Sequence, residues 1–551
     1  MRYLILGGVA GGASTAARLR RLDEQAEIVL FERGEHVSYA NCGLPYYAGG
    51  AITDRSKLFL MDAAKFKATL NVEVRVRHEV VAIHPAEKTI SVKDLVTGEV
   101  KQEAYDGLLY SPGAEPIRPP LPGIDDPRVH TLRSVPDIDR IKARIDAEKP
   151  ARAVVVGGGF IGLEMAENLH DRGIQVALVE ALDQVMAPID PEMAAIAHQH
   201  LRAKGIDLHL ADGLTEFVSK GTSLEVRLKS GAVLEAEIIL LSIGVKPDTR
   251  LAREAGIVVD ERGFVVVNER LETSAPGVWA VGDAIVFTNP LTGKPQPMPL
   301  AGPANKQARI AAAQMAGLPD APRWKGALGT AVAKIFDLTV ASTGLAEKAC
   351  VREGIPAASV IVHPSSHASY YPGASALSLK IVYSPETGKL LGAQAIGAEG
   401  ADKRIDAFAA FLQMGATVRD LAEFEHAYAP PYNGAKDALN YAGFVAVNHL
   451  QGLSQPIGWK DAQARVAAGA FLIDTRTQTE FDAGHIEGAT LIPNTQLRER
   501  LAEVPKDRPV VLYCGVGIRG YLSERILRQN GITDVANVTG GYKTWGTALL
   551  G

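Results

Sequence analysis

Three cysteines, at positions 42, 350 and 514, are the residues of this sequence best suited to chemistry. A cysteine thiolate attacks sulfur–sulfur bonds and can carry sulfur as a persulfide. Three cysteines are too few for a disulfide framework, which indicates a reducing compartment. Glycines flank Cys42 and Cys514, whereas Cys350 follows Glu347-Lys-Ala with no glycine turn around it, so we interpret Cys350 as structural.

Cys42 lies in the segment Ser38-Tyr-Ala-Asn-Cys-Gly-Leu-Pro-Tyr46. A helix N-terminus beside this thiol would lower its pKa and provide a nucleophile at neutral pH. Reductases that use an internal dithiol need a second cysteine a few residues away, but the next one is Cys350. We therefore expect Cys42 to attack a substrate disulfide or persulfide alone and to hold half of it as a mixed disulfide. The alternative is a buried, inert cysteine.

Two glycine-rich turns must position this chemistry, Gly7-Gly-Val-Ala-Gly-Gly12 and Gly157-Gly-Gly-Phe-Ile-Gly162. Each follows a short apolar strand and opens a helix, which predicts two βαβ nucleotide-binding units whose helix N-termini bind pyrophosphate. Glu32 and Glu180 end the second strands, where an acid binds the ribose hydroxyls. The carboxylate of Glu180 in the second unit favours NADH over NADPH. The first turn departs from the usual pattern, because Val9 replaces its second glycine.

The length and net charge of the chain indicate how many domains it has and which partners are disfavoured. A chain of 551 residues exceeds what one hydrophobic core organises, so several domains are expected. The net charge of −5 disfavours nucleic acid and anionic membranes as partners. The first residues have neither the long apolar stretch nor the cleavage site of a signal peptide, and no apolar run reaches about 18 residues, so we expect a cytoplasmic protein. No metal site is predicted.

A third motif distinguishes the two nucleotide sites. The segment Thr273-Ser-Ala-Pro-Gly-Val-Trp-Ala-Val-Gly-Asp283 resembles the second flavin motif of flavoproteins with two dinucleotide-binding domains. The resemblance implies that Asp283 contacts the ribityl-phosphate region of a flavin, that FAD binds the first βαβ unit and that the nicotinamide binds the second. It also implies that Ser111-Pro-Gly-Ala114 is the crossover between the two domains.

Four segments over residues 1 to 445 together resemble the coenzyme A disulfide reductases and their persulfide-reducing relatives. These are the Cys42 segment, the first glycine turn, His367-Ala-Ser-Tyr-Tyr-Pro-Gly373 and Tyr428-Ala-Pro-Pro-Tyr432. The resemblance implies a homodimer in which Tyr370 and Tyr428 of the partner subunit help to bind substrate and donate a hydrogen bond at the cysteine. Without it, such tyrosines are ordinary packing residues.

The same resemblance implies a coenzyme A site. Ser14, Arg18 and Arg21 recur at i, i+4 and i+7, hence on one face of the first helix, and two arginines suit the phosphates of coenzyme A. The alternative is a solvated helix face. Further substrate contacts are implied at Ser38 and Asn41, with Asn305 as a weaker candidate.

The C-terminal part is similar to rhodanese domains over residues 457 to 551. The matching segments are Phe471-Leu-Ile-Asp-Thr-Arg476, His485-Ile-Glu-Gly-Ala489 and Val510-Val-Leu-Tyr-Cys-Gly-Val-Gly-Ile-Arg-Gly520. Cys514 is predicted to end a strand and to begin a six-residue loop to Arg519, and the N–H groups of this loop are expected to converge on the sulfur. Arg519 is a predicted substrate-binding residue. Some rhodanese-like domains lack the cysteine and serve as interaction modules, but this one retains it, so we expect sulfur transfer.

The remaining candidates of this C-terminal part have structural roles. We expect Asp474 and Arg476 to secure the fold and His485 to be a structural histidine.

The predicted fold class is α/β, with two Rossmann-like dinucleotide-binding domains, an α+β dimerisation domain and an α/β rhodanese domain. The predicted boundaries are 1–112 and 245–325 for the FAD domain, 113–244 for the NAD(P)H domain, 326–447 for the dimerisation domain, 448–456 for a linker and 457–551 for the rhodanese domain. The predicted FAD-binding residues are Gly7, Val9, Ala10, Gly11, Gly12, Glu32, Arg33, Ser111, Pro112, Gly113, Gly282, Asp283, Pro299 and Ala301. The predicted nicotinamide-binding residues are Gly157, Gly159, Phe160, Ile161, Gly162, Glu164 and Glu180, with Phe160 and Glu164 near the nicotinamide and flavin rings.

These predictions support NADH-dependent reduction of coenzyme A persulfide or polysulfide, with coenzyme A disulfide as a related or slower substrate and with Cys514 supplying sulfur. Two alternatives stay open. One is an NADH oxidase or peroxidase of the same fold, in which Cys42 cycles through a sulfenic acid. The other is a sulfur-relay or sensor protein in which the flavoprotein part serves Cys514. Use of NADPH also stays open.

Overall fold

The computed structural model describes residues 1–550, which divide into two units. The first unit contains Met1–Ala181 and Asp212–Ala327. The second contains Leu182–Ala211 and the chain from Leu328 onward. None of the helices among residues 1–550 is both long enough and apolar enough to cross a bilayer.

The first unit is built on a parallel sheet whose strands are apolar because both faces are covered. Its central strand, Arg2–Leu6, has Leu4 and Ile5 without solvent exposure. In spatial order its five strands are Val278–Ala280, Gly107–Tyr110, Arg2–Leu6, Glu27–Glu32 and Glu73–Val76. The helix Ala10–Leu22 follows the central strand directly and packs against the helix Ala301–Met315.

A second parallel sheet repeats this arrangement. Its neighbouring strands in the first unit are Gln175–Val179, Arg152–Val156, Ile238–Leu241 and Val129–Thr131. The helix Phe160–His170 follows Arg152–Val156, so each parallel sheet has a glycine turn at the carboxyl end of a central strand. Nucleotides bind at this end of a parallel sheet.

Smaller elements complete the first unit. Antiparallel sheets are formed by His78–His84, Thr89–Asp94 and Val100–Ala104, by Leu214–Lys220, Ser223–Leu228 and Val233–Ala236, and by Ala114–Pro116 with Val245–Pro247. A mixed sheet contains Val265–Val266, Ile285–Thr288 and Pro295–Gln296. The other helices are Leu44–Gly49, Ala63–Leu70, Val135–Glu148 and Arg250–Glu254, with single 3-10 turns at Asn41–Gly43, Arg55–Leu58 and Gly282–Ala284.

The second unit contains an antiparallel and a parallel sheet. The antiparallel sheet has the spatial order Ala331–Ile335, Leu338–Gly344, Leu390–Gly397, Leu377–Tyr383 and Ala358–Val362. The parallel sheet has the order Pro456–Ile457, Val535–Val538, Val510–Tyr513, Phe471–Asp474 and Thr490–Leu491. A strand, Asp207–His209, and a 3-10 turn, Leu501–Glu503, also lie in this unit. Its helices are Pro191–Ala203, Glu347–Glu353, Ala401–Gln413, Val418–Ala422, Ala438–Leu450, Trp459–Ala467, Gln478–Asp482, Ile518–Gln529 and Gly541–Leu550.

A buried ion cluster ties the helix Pro191–Ala203 into the second unit. The ammonium of Lys380, which is 1 % exposed, pairs with the carboxylates of Asp190, Glu192 and Glu347. These three carboxylates lie close enough together to hold a cation, and the Lys380 ammonium provides the positive charge. Burial opposes ionisation of Asp190, but Lys380 and its hydrogen bonds outweigh this cost, and the pKa of Asp190 is lowered.

Several predicted elements differ from the observed ones at their ends. The sequence pattern after Gly162 predicts a helix to about Arg172, whereas the helix ends at His170. The pattern from Asp402 to Met414 predicts a helix, which the structure has at Ala401–Gln413. The helix Ala438–Leu450 includes the first three residues of the predicted linker, and Pro456 begins a strand. The domain boundaries as a whole stay predictions.

Candidate active site

The first glycine turn is shaped for a dinucleotide. Gly7 has a positive φ of 87°, and a Cβ there would lie 2.1 Å from the Ser111 carbonyl oxygen. A Cβ on Gly12 would lie 1.8 Å from the Gly7 carbonyl oxygen, so helix and strand approach as closely as glycine alone permits. Val9 precedes the helix Ala10–Leu22 without a side-chain cap, which leaves the first helical N–H groups available to an anion.

The predicted ribose acid of this turn is held in place. Glu32 Oε2 accepts a hydrogen bond from Gly8 N at 2.9 Å, and Glu32 Oε1 accepts one from Gly34 N at 2.8 Å. The neighbouring Arg33 pairs with Glu115 and Asp248 at 3.2 and 3.0 Å. The carboxylate therefore lies at the turn where a ribose would sit.

The second turn has the same geometry. Gly157 has a φ of 110°, and a Cβ on Gly162 would lie 1.9 Å from the Gly157 carbonyl oxygen. A Cβ on Gly159 would meet no atom within 4 Å among the described residues, so the space above the turn is open. Glu180 Oε2 accepts a hydrogen bond from Gly158 N at 2.7 Å. Phe160, Ile161 and Glu164 lie in the helix that begins here.

The predicted second flavin motif ends in a 3-10 turn, Gly282–Ala284, in the same unit as the first glycine turn. Burial raises the pKa of Asp283, and the charge of Arg133 opposes this shift. Gly282 N donates a hydrogen bond to Gln307 Oε1 at 2.8 Å. Sequence reasoning missed the buried Gln307, because nothing in the sequence indicates that its helix supports this turn.

Other predicted FAD-binding residues lie on loops and helix starts of the same unit. Ser111 and Pro112 lie against Gly7, and Gly113 has a φ of 78°. Pro299 precedes the helix Ala301–Met315, and Ala301 begins it. The sequence Ala301-Gly-Pro-Ala-Asn305 predicts a turn, but the structure has the start of this helix there.

Cys42 lies in the 3-10 turn Asn41–Gly43, directly before the six-residue helix Leu44–Gly49, and its side chain is exposed in this chain. The protein atoms around the sulfur desolvate the thiol in part and so raise its pKa, and the negative charges of Glu164 and Asp283 raise it further. The pKa of Cys42 is therefore raised and not lowered as expected, because desolvation of the thiol, with the charges of two carboxylates from distant parts of the sequence, outweighs the effect of the short helix.

The pKa of Glu164 is itself shifted by its surroundings. Burial raises the pKa of Glu164 to about 7, against the effect of a hydrogen bond from Tyr46, whose hydroxyl is 3.4 Å from Oε1. Burial and the charge of Glu164 raise the pKa of Tyr46 to about 12. Sequence reasoning missed Tyr46, although it lies four residues after Cys42, one turn along the following helix.

Two of the predicted substrate residues are brought together. Ser14 Oγ donates a hydrogen bond to Asn305 Oδ1 at 2.6 Å, which joins the helices Ala10–Leu22 and Ala301–Met315. Burial and the positive charges of Arg309 and Arg21 lower the pKa of Arg18, and Arg18 Nε is buried without a hydrogen-bond partner among the described residues. A concentration of positive charge of this kind suits an anion.

Arg309 was missed from sequence. The only signal was its position four residues after Asn305, which places both residues on one helix face.

The remaining two substrate candidates lie next to the Cys42 turn. Ser38 has a φ of 49°, and its N–H donates to the Gly8 carbonyl at 2.7 Å. Asn41 begins the Cys42 turn and is exposed. Ser38 therefore connects the first glycine turn to the thiol.

Tyr370 and Tyr428 meet in the second unit. Their hydroxyl oxygens are 2.9 Å apart, and the residues are 74 % and 48 % exposed. The hydrogen bond between the two hydroxyls raises the pKa of Tyr370. Two tyrosines that were 58 positions apart in the sequence thus form one exposed hydroxyl pair.

Cys514 begins a short loop in the second unit. It follows the buried strand Val510–Tyr513, has no solvent exposure, and its Sγ accepts a hydrogen bond from Gly517 N at 3.0 Å. The helix Ile518–Gln529 begins earlier than predicted, so Arg519 lies in its first turn and not at the end of a six-residue loop. Gly517, with a φ of 119°, permits this abrupt start.

Arg519 is fixed by a residue that sequence reasoning missed. Its Nη1 and Nη2 atoms donate to Glu480 at 2.7 and 2.6 Å. The hydrogen bond from Arg519 lowers the pKa of Glu480 to about 2, and Thr477 N–H and hydroxyl donors add to this effect. The capping-box spacing Thr477-x-x-Glu480 was the available signal, but it indicates only a helix start.

The residues predicted to be structural are buried or contact neighbouring side chains. Asp474 and Arg476 are buried and form an ion pair at 2.7 Å, and Arg476 lies 4.0 Å from the ring centroid of Tyr542. His485 is exposed and stacks on Phe481 with ring centroids 3.7 Å apart. Cys350 is fully buried, and burial raises its pKa to about 11.

Comparisons with family models cover almost the whole chain. Residues 1–317 match pyridine nucleotide-disulphide oxidoreductases, residues 330–438 match the dimerisation domain of these proteins, and residues 458–548 match rhodanese-like domains. The predicted fold class is thereby confirmed.

Individual relatives agree with these matches. A coenzyme A disulfide reductase of Staphylococcus haemolyticus is 36 % identical over 445 residues, which are 81 % of this chain and 99 % of the relative. The crystal structure of reduced Bacillus anthracis CoADR-RHD superposes with a TM-score of 0.97 at 47 % identity, over 100 % of this chain and 98 % of that one. An NAD-dependent persulfide reductase from A. fulgidus superposes with a TM-score of 0.91 at 33 % identity, over 99 % of this chain and 100 % of that one.

Proposed function

The chain belongs to the pyridine nucleotide-disulphide oxidoreductase family, and from this premise we propose that it is an NADH-dependent reductase of coenzyme A persulfide or polysulfide. Coenzyme A disulfide is a related or slower substrate. It is an oxidoreductase that uses a flavin and a nicotinamide and that carries a dimerisation domain and a rhodanese-like domain. The observation that carries the substrate proposal is a lone exposed thiol, Cys42, beside a dinucleotide site in a chain that also holds a second thiol in a sulfur-binding loop.

The proposed cofactor sites follow the two glycine turns. The turn at Gly7 and Glu32 would hold FAD, and the turn at Gly157 and Glu180 would hold NADH. When bound, FAD supplies the two-electron relay between the reduced nicotinamide and sulfur. The hydrogen-bonded carboxylate of Glu180 would repel the 2′-phosphate of NADPH, which supports the preference for NADH.

Cys42 performs the proposed sulfur chemistry. Its thiolate attacks the coenzyme A sulfur of the persulfide, the sulfur–sulfur bond breaks, and hydrosulfide leaves while a mixed disulfide forms. Two electrons and a proton then convert the mixed disulfide into the Cys42 thiolate and free coenzyme A thiol. One thiol suffices for this cycle, in agreement with the absence of a second cysteine within 300 residues of Cys42.

Charged and hydroxyl groups would hold the substrate. Arg18, Arg21 and Arg309 offer a positive cluster for the phosphates of coenzyme A. The hydroxyl pair of Tyr370 and Tyr428 is exposed and lies in the dimerisation domain. We propose that it reaches the Cys42 site of the partner subunit in a homodimer and donates a hydrogen bond to the departing thiolate.

Cys514 is the proposed sulfur carrier, and its persulfide would pass sulfur to coenzyme A or toward Cys42. The Gly517 N–H at its Sγ supports an anionic sulfur there. The thiols must stay reduced for this cycle, which suits the cytoplasm.

The deciding experiment measures sulfide release and NADH oxidation by the purified holoenzyme with coenzyme A persulfide. We expect stoichiometric sulfide, and we expect the Cys42→Ser variant to lose at least about 1,000-fold in turnover because it lacks the nucleophile. NADH oxidation no faster than that of Cys42→Ser would contradict the proposal. Oxygen- or peroxide-driven NADH consumption at rival rates would favour the oxidase alternative. Turnover that survives Cys42→Ser but not Cys514→Ala would favour the sulfur-relay alternative.

A further inference from the structure

The main chain of the Cys514 loop is held by the N-terminus of the last helix, Gly541–Leu550. Tyr542 N donates to the Cys514 carbonyl at 2.7 Å, and Lys543 N donates to the Gly515 carbonyl at 3.0 Å. The first N–H groups of a helix have no partner within it, so the loop carbonyls satisfy them. A Cβ on Gly541 would lie 2.4 Å from the Cys514 carbonyl oxygen, which shows how closely helix and loop approach.

This contact orients the loop's own donors. In a trans peptide the carbonyl and the following N–H point in opposite directions. The carbonyls of Cys514 and Gly515 point at the helix. The N–H groups that follow them, those of Gly515 and Val516, therefore point away from it. The position of the helix therefore sets the direction of the peptide dipoles around Cys514.

The segment from Thr539 to Thr544 is attached at both ends to the antiparallel sheet. Thr539 Oγ1 accepts a hydrogen bond from Ile361 N at 2.7 Å and donates one to the Ile361 carbonyl at 3.3 Å. Ile361 lies on the edge strand Ala358–Val362, whose outer N–H and C=O groups lack a strand partner. Thr544 Oγ1 lies 2.8 Å from His363 Nε2, just past the same strand.

His363 is fixed on its other side as well. Its Nδ1 lies 2.8 Å from Ser378 Oγ on the neighbouring strand Leu377–Tyr383. Burial lowers the pKa of His363 to about 3, and the charge of Lys543 acts in the same direction, so the imidazole is neutral near pH 7. A neutral imidazole has one donor and one acceptor, and each ring nitrogen here has one hydroxyl partner.

We propose that the hydrogen bond between His363 and Thr544 positions the sulfur-transfer site, acting through the last helix on the main chain around Cys514. The dimerisation domain thereby contributes to the geometry of the rhodanese loop. The sulfur-transfer part of this inference rests on the proposed function of Cys514, whereas the structural coupling does not.

The test compares variants of the full-length holoenzyme. Thr544→Val removes the hydroxyl while keeping the shape, and Thr544→Ser retains it. Gln199→Ala is the matched control, because Gln199 Nε2 donates to the Thr547 carbonyl on the same helix at 3.4 Å without a link to the loop. The readout is sulfur transfer from thiosulfate to cyanide, in which Cys514 attacks the outer sulfur, sulfite leaves, and cyanide then takes the sulfur as thiocyanate.

We expect Thr544→Val to lower kcat about five-fold with little change in KM, the effect of one lost hydrogen bond. Thr544→Ser should stay within about two-fold of the wild type because it keeps the hydroxyl, and so should Gln199→Ala because Gln199 is half-buried and has no hydrogen bond to the loop. A wild-type kcat for Thr544→Val, or an equal loss in Gln199→Ala, would overturn the proposal.

A second readout separates this inference from the proposed function. The alkylation rate of Cys514 by iodoacetamide, followed by peptide mass, requires no sulfur donor. We expect Thr544→Val to change this rate at least about three-fold and Thr544→Ser to leave it unchanged. Absent sulfur transfer in the wild type with an altered alkylation rate in Thr544→Val would refute the carrier function and support the positioning role, and unaltered alkylation would refute the positioning role.

Discussion

The Tyr46 hydroxyl lies 3.4 Å from Oε1 of Glu164, and burial raises the pKa of that carboxyl to about 7. Because the folded-state pKa lies above the usual value of 4.5, the carboxyl is protonated below about pH 7 and negatively charged above it. Its negative charge is among the causes that raise the pKa of Cys42. The charge of Glu164 therefore lowers the thiolate fraction of Cys42. A neutral residue at position 164 would leave the thiol more reactive.

Glu164→Gln should make Cys42 more reactive, since it removes that negative charge. We expect alkylation of Cys42 at pH 8 to accelerate about three-fold, which corresponds to half a pKa unit. Peptide mass spectrometry after iodoacetamide treatment measures the rate at each cysteine. Glu35→Gln is the control, because Glu35 is an exposed carboxylate that pairs with Arg77. An unchanged or slower rate at Cys42 would show that Glu164 does not restrain the thiol.

The Glu480–Arg519 pair predicts a pH dependence for the Cys514 loop. The pKa of Glu480 is lowered to about 2, below its usual 4.5, so the pairing is fully present above pH 4.5 and is lost as the pH falls toward 2. The pair should therefore remain intact from pH 5 to pH 9.

Glu480→Gln should lower sulfur transfer from thiosulfate about five-fold throughout the range from pH 5 to pH 9, a modest effect because the pair is partly exposed. The measurement is thiocyanate formation across this range. Glu487→Gln, at an exposed position of the same domain, is the control. Equal activity of both variants would exclude a role for Glu480 at the loop.

Glu180 should determine the choice between the two nicotinamides. Glu180→Ser removes the carboxylate that accepts a hydrogen bond from Gly158 N, and the repulsion of a 2′-phosphate with it. We expect the ratio of kcat/KM for NADH to that for NADPH to fall about ten-fold. Asp171→Ser, at the exposed end of the helix Phe160–His170, should keep the ratio. A ratio unaffected by Glu180→Ser would remove the basis for the NADH preference.

Lys380→Met should destabilise the second unit severely. It leaves the buried carboxylates of Asp190 and Glu192, and the partly exposed carboxylate of Glu347, without their counter-charge. We expect the free energy of unfolding to fall by about 3–5 kcal/mol, the cost of breaking a buried ion pair. Urea denaturation measures it, with Lys403→Met at an exposed position as the control. Similar midpoints for the two variants would show that the cluster contributes little to stability.

The local parts of the fold were predictable from sequence because their signals are local. Strand, glycine turn and helix recur in register at Gly7 and Gly157, and the steric contacts at both turns follow from those glycines. The segment around Cys514 likewise contains its own strand and turn.

The electrostatics of the sites was not predictable, because it depends on residues far apart in the sequence. The pKa of Cys42 was expected to fall, yet desolvation raises it, and Glu164 and Asp283 add to this shift from positions more than 100 residues away. Arg309 and Glu480 were missed for the same reason, since their partners Arg18 and Arg519 lie on other elements. The spacing of residues along one helix or loop does not reveal which residues of other elements lie beside them.

The cluster around Lys380 also constrains the order of events during synthesis. Glu192 leaves the ribosome 188 residues before Lys380, an interval of roughly 10 to 40 seconds at ordinary rates of translation. Until Lys380 has been synthesised, no ammonium from this residue can neutralise Asp190 and Glu192 at the start of the helix Pro191–Ala203. The nascent chain must therefore keep this helix hydrated while both nucleotide-binding sheets are being completed, and the helix can reach its final burial only after the antiparallel sheet has emerged.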